Sequence, residues 1–202
     1  MNMKNILFSI LAVLILVSSA TKSGYEIGDK VDDFKLKNVD GEVISLADFK
    51  DAKGFIVIFD CNSCPYSRAY NSRILALDKK FSSKGFPVIA INSNVASGSE
   101  GESMEAMAKY SKSHKYTFPY LADDTQKVAK AFGATNTPHV FVLQKTEGNL
   151  VVAYIGTIDD SPKNESKVKV KYVENAVDAL LSGKPVETSK TKAIGCGIKF
   201  LN

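Results

Sequence analysis

The stretch Phe55-Ile56-Val57-Ile58-Phe59-Asp60-Cys61-Asn62-Ser63-Cys64-Pro65 decides how the rest of the chain is read. Five consecutive apolar residues, Phe55 to Phe59, predict a strand buried on both faces. Beyond Pro65, the residues Tyr70, Ile74, Leu77 and Phe81 fall at i, i+4, i+7 and i+11, one face of a helix. A C-x-x-C pair therefore stands where a buried strand hands over to a helix. The free N–H groups and positive dipole end of a first helical turn favour a thiolate over a thiol. This reading puts Cys61 at that end, with a lowered pKa, as the attacking sulfur. Cys64, one turn inward, is the partner that closes the disulfide. The carboxylate of Asp60 opposes ionisation of its neighbour Cys61. The chemistry indicated is dithiol–disulfide exchange, in which a thiolate attacks a disulfide and a second thiol resolves the mixed disulfide. An inert closed disulfide and half of a metal site are the competing uses of such a pair.

Compartment and composition frame that chemistry. Lys4, an apolar run over residues 6–17 and Ser18-Ser19-Ala20 have the order of a secretory signal peptide, so residues 1–20 are expected to be removed on export. The apolar run is shorter than the ~20 residues that span a bilayer. No stable membrane insertion is expected after cleavage, and the location is periplasmic or secreted. In an oxidising compartment, three cysteines (Cys61, Cys64 and Cys196) are too few and too uneven for a structural disulfide framework. Net charge is +4, and the lysines at 163, 167, 169 and 171 have no interleaved aromatic residues, so nucleic acid is not an expected partner.

Working outward, short strands around 33–36 and 42–45 flank the turn signal Asp40-Gly41. A second buried strand is expected over 88–91. A helix follows over 103–113, with Ser99 and Glu102 as a capping box. Asp123 is expected to cap a helix over 124–132 that ends at Gly133. Strands over 139–143 and 150–155 and a helix over 171–182 complete the pattern. Strand–helix alternation with a terminal hairpin predicts one α/β domain with a mixed sheet. Asp159 and Asp160 read as turn residues, His114 as a surface residue, and Met104 and Met107 as packing.

With C-x-x-C between βαβ elements and Thr137-Pro138 ahead of a later strand, the chain resembles the thioredoxin fold. Two sets of residues bring it near the peroxiredoxin-like redoxin (AhpC/TSA-type) branch. One is Ile27-Gly28-Asp29-Lys30 with Asp33-Phe34, Leu36, Asp40-Gly41, Leu46 and Phe49. The other is Cys61-Asn62, Cys64-Pro65-Tyr66, residues 90–94 and Ile194-Gly195-Cys196 with Ile198-Lys199. The resemblance implies a three-layer fold with a central mixed sheet flanked by helices and an N-terminal β-hairpin. It implies a domain over 25–183 and a tail over 184–202. Its catalytic residues would be Cys61 and Cys64. Its substrate-binding residues would be Thr137 and a cis Pro138, where the Thr137 backbone pairs with a substrate strand. Protein or small-molecule disulfides and thiols, with a redox partner protein, are the expected partners, and no cofactor or metal is expected.

The chain departs from these families in several places. Asp60 stands where thioredoxins carry an aromatic residue, residues 55–59 lack their buried acid, and Asp32 replaces a proline of the redoxin opening. Thiol peroxidases resemble P-x-x-x-T-x-x-C, whereas Gly54 and Ile58 occupy those places here. His139 could assist Cys61 as a base, or complete a copper-chaperone site with Cys61 and Cys64, although such chaperones have three residues between their cysteines. Cys196 is either an alternative disulfide partner or a buried free cysteine in an apolar tail.

Overall fold

The computed structural model describes residues 24–201; the expected leader over 1–20 lies outside them. The strands are β1 (Lys30–Val31), β2 (Lys35–Asn38), β3 (Val43–Ser45), β4 (Gly54–Phe59), β5 (Val88–Asn92), β6 (Tyr120–Ala122), β7 (Asn136–Thr137), β8 (His139–Thr146), β9 (Asn149–Gly156) and β10 (Cys196–Gly197). The helices are α1 (Pro65–Phe81), α2 (Met104–Ser113), α3 (Lys127–Phe132) and α4 (Tyr172–Leu181). Eight strands form one sheet in the order β1-β9-β8-β4-β5-β6-β2-β3. Strand β4 lies at its centre, parallel to β5 and antiparallel to β8. The fold is thioredoxin-like.

Every residue of β4 is buried because helices cover both faces of the sheet. Ile56 and Ile58 pack with Tyr70, Ile74, Leu77 and Phe81 of α1 and with Val173, Ala176 and Val177 of α4. Phe55, Val57 and Phe59 point to the other face, against Val128, Ala129 and Phe132 of α3. These alternating side chains make the three layers, and burial of each large one is worth about 1.5–3 kcal/mol. The hairpin β2–β3 forms as its turn signal indicates. Asn38 N–H donates to the Glu42 carbonyl at 2.7 Å, and Gly41 takes φ 96°.

Three local expectations need correction. Helix α2 is capped by Ser103, whose hydroxyl accepts from Ala106 N–H at 3.2 Å; Glu102 is turned inward instead. Helix α3 starts at Lys127 rather than 124, although the Asp123 carboxylate still accepts from Ala129 N–H at 2.9 Å. Asp159 is no mere turn residue. It is buried and pairs with Arg73 Nη1 at 2.6 Å, fastening α1 to the segment after β9.

The tail folds back onto the domain. Lys190 bridges to Ile155 of β9, and β10 pairs antiparallel with β7 in a second, two-stranded sheet. This brings the tail across the end of β4 from which the cysteines emerge.

Candidate active site

Strand β4 ends at Phe59, and Asp60 to Ser63 form the loop into α1. Cys64, at φ −70° and ψ 123°, is the residue that caps the helix, with Pro65 in its first turn. Proline suits that position because its missing N–H would be unpaired there anyway. The helix end therefore belongs to Cys64 and not to Cys61. Pro65 is the sequence signal that marks this boundary.

Around the loop, three segments converge. Cys61 Sγ lies 3.1 Å from Thr137 Oγ1, and Cys64 Sγ lies 3.0 Å from the Thr137 carbonyl oxygen. The Thr137–Pro138 peptide is cis. Cys64 Sγ also lies 2.7 Å from Cys196 Sγ, and all three cysteines are free thiols. Cys61 and Cys64 are only 1% and 2% exposed. An open, solvent-facing Cys61 is thus not what the structure holds; the chain's own tail is packed over the pair.

The charge balance favours Cys64. A hydrogen bond from the Cys61 thiol, aided by Cys196 and the Ser67 N–H, holds the Cys64 thiol down to about 4 against the effect of burial. Cys61 is pushed well above the usual thiol range by the same hydrogen bond, by burial, and by the Asp60 and Glu102 carboxylates. The expected lowering at Cys61 is therefore reversed. Asp60 itself is 1% exposed, and burial pushes it up to about 6, offset in part by the Cys61 N–H, while its Oδ1 has no hydrogen-bond partner. Tyr116 OH is 3.4 Å from Asp60 Oδ2 but 2.9 Å from Asn71 Oδ1. Its single proton serves the shorter bond, which leaves Asp60 poorly solvated.

Glu102 is a residue that sequence reasoning missed. Its buried carboxylate accepts from Asn62 N–H at 3.0 Å, Ser63 N–H at 2.9 Å, the Ser63 hydroxyl and Asn92 Nδ2 at 2.8 Å. It pins the turn between the cysteines from a helical turn 39 positions downstream. Nothing local in the sequence announces that contact. Glu102→Ala strands two loop N–H groups, at about 1–3 kcal/mol each, so a loss of about 2–6 kcal/mol is expected in urea unfolding. An unchanged midpoint contradicts the pinning role.

The family model described as the AhpC/TSA family matches residues 27–157, more than half of the chain. The chain belongs to the AhpC/TSA family. Among curated relatives of this redoxin, the thiol-disulfide oxidoreductase ResA of Bacillus thuringiensis subsp. konkukian is 25% identical over 157 residues, covering 72% of this chain and 85% of ResA. A Sinorhizobium meliloti protein described as hypothetical matches at a TM-score of 0.80 and 35% identity, over 88% of this chain and 96% of that one. A Chlorobium tepidum structure, named a thiol:disulfide interchange protein of the thioredoxin family, matches at 0.57 and 20% identity. It covers 78% of this chain and 99% of its own, and shares the fold.

His139 does not join the redoxin's sulfurs. It is buried at the start of β8, where its Nδ1 accepts from Thr135 N–H at 3.3 Å and its ring packs on Phe141 with centroids 4.7 Å apart. Burial pushes its pKa down to about 4, so it is neutral. Among the described residues, no three His, Cys, Asp or Glu side chains are grouped to hold a metal.

Proposed function

We propose that this redoxin is a thiol–disulfide oxidoreductase whose reacting groups are Cys61 and Cys64. The observation that carries the reading is the paired thiols at the β4–α1 junction, with negative charge favoured on Cys64, against the Thr137–Pro138 edge. In the proposed cycle Cys64 thiolate attacks a substrate disulfide and releases one substrate thiolate. Cys61 then gives up its proton and attacks Cys64 Sγ, releasing the second thiolate and leaving a Cys61–Cys64 disulfide. Asp60, with a pKa near 6, is ionised at neutral pH and is the nearby base for that proton. Thr137 and Pro138 line the edge along which a substrate strand would lie. Protein or small-molecule disulfides are the proposed substrates, with a redox partner protein to reset the pair.

An exported location, periplasmic or secreted, rests on the leader-like residues 1–20. No described helix is long and apolar enough to cross a membrane. A thiol peroxidase is the rival reading, but the position of its peroxide-orienting threonine is held by Ile58, buried inside β4.

The test is insulin-disulfide reduction with dithiothreitol as electron donor, run beside hydrogen peroxide consumption. Expected is acceleration of insulin reduction that is lost in Cys64→Ser and in the Cys61→Ser/Cys196→Ser double variant, with peroxide turnover no faster than that of a simple dithiol. Rapid peroxide turnover without insulin reduction overturns the reading in favour of the peroxidase.

A further inference from the structure

We propose that Cys196 is a third redox cysteine, which exchanges with Cys64 from a tail strand docked on the Thr137 edge. Cys196 is 132 positions from Cys64 in sequence, yet the two sulfurs are 2.7 Å apart. The approach is built rather than incidental. In the β7–β10 ladder Cys196 pairs with Thr137 and Gly197 with Asn136. Ile198 N–H donates to the Thr135 carbonyl at 2.9 Å, and Asn136 Nδ2 donates to the Gly195 carbonyl at 3.1 Å. Further along, the Gln126 side chain grips the tail backbone twice, donating to the Lys199 carbonyl and accepting from Leu201 N–H, each at 2.8 Å. Gly195 is required for the close approach, since a Cβ there would sit 2.1 Å from the Thr137 carbonyl oxygen.

The step is an exchange with no net change in oxidation state, and it rests on the dithiol reading above. Starting from the Cys61–Cys64 disulfide, Cys196 loses its proton and its thiolate attacks Cys64 Sγ. The Cys64–Cys196 bond forms, the Cys61–Cys64 bond breaks, and Cys61 leaves as a thiolate that takes up the proton. Burial holds the proton on Cys196, and so does the Cys64 thiolate; with Cys64 in a disulfide the second of these is gone. Cys61, beside the Asp60 and Glu102 carboxylates, is favoured as the protonated product. The tail is thus an internal disulfide acceptor, lying where a peptide replacing β10 would present its own sulfur to Cys64.

The experiment treats the reduced full-length chain with one equivalent of oxidised glutathione, alkylates free thiols under denaturing conditions, and maps the linked peptides by mass spectrometry. Expected is a cross-linked peptide joining the Cys64 and Cys196 segments, with Cys61 alkylated. Cys61→Ser should still lose both remaining thiols to that bond, and Gly195→Ala should form severalfold less of it while keeping Cys61–Cys64. A Cys61–Cys64 disulfide with Cys196 alkylated throughout, and two free thiols in Cys61→Ser, overturns the exchange with Cys196 alone. No oxidation of any cysteine overturns the dithiol reading and this one with it.

Discussion

A mixed disulfide on Cys64 is expected to accumulate in the Cys61→Ser/Cys196→Ser double variant, while Cys64→Ser/Cys196→Ser forms none. The serine at 196 is needed in both, because Cys196 lies close enough to resolve an adduct on Cys64. The asymmetry follows from where the helix begins. Cys64 is the capping residue of α1 and receives the Ser67 N–H, whereas Cys61 sits in the loop beside two carboxylates. A nucleophile is the sulfur that is ionised, and the neutral thiol of the pair can act only after the first exchange. Incubation with insulin or oxidised glutathione, acid quenching and intact-mass measurement read the result. An adduct trapped on Cys61 in the Cys64→Ser/Cys196→Ser variant reverses the roles.

Asp60→Asn is expected to change both stability and the pH profile. Burial raises Asp60 from 3.8 to about 6, so its ionised form is penalised in the folded state. The sign follows from linkage: relative stability is fully present below the unfolded value and is lost as pH rises through the folded one. A shift of about two units corresponds to roughly 3 kcal/mol. Asparagine cannot ionise, so the stability difference between Asp60→Asn and the parent should move by roughly 3 kcal/mol in favour of the variant from about pH 3.5 to about pH 7.5. Urea unfolding at the two pH values checks this, and a difference that does not vary with pH refutes it. The rate of the second exchange step should likewise lose its rise near pH 6 in the variant, because the base for the Cys61 proton is gone.

The parts of the fold that were legible are those whose cause is local. The run over residues 55–59 and the helical face of Tyr70, Ile74, Leu77 and Phe81 are periodic patterns, and they became the central strand and its covering helix. The Asp40-Gly41 turn has its conformational demand written in its residues. The strands β1, β7 and β10 are two residues each and exist only through their distant partners, Val151, Leu150, Cys196 and Thr137 among them, so no periodicity could announce them. At the site, the C-x-x-C and the Thr137–Pro138 pair could be read, but not which cysteine capped the helix, although Pro65 carried that signal. Glu102 was open to a plausible local use as half of a capping box, and that use competed with its real one beneath Asn62 and Ser63. The burial of both thiols depends on the tail, whose apolar character was visible and whose docking site was not.

The most direct measurement is a titration of thiolate absorbance in the ultraviolet, made on the reduced protein and on each single cysteine-to-serine variant. The predicted result is one thiolate that persists well below the ordinary thiol range and disappears only in Cys64→Ser, with an upward displacement in Cys61→Ser as its hydrogen-bond donor is altered. A thiolate that forms only in the ordinary thiol range near 9, or one that vanishes in Cys61→Ser and survives in Cys64→Ser, contradicts it.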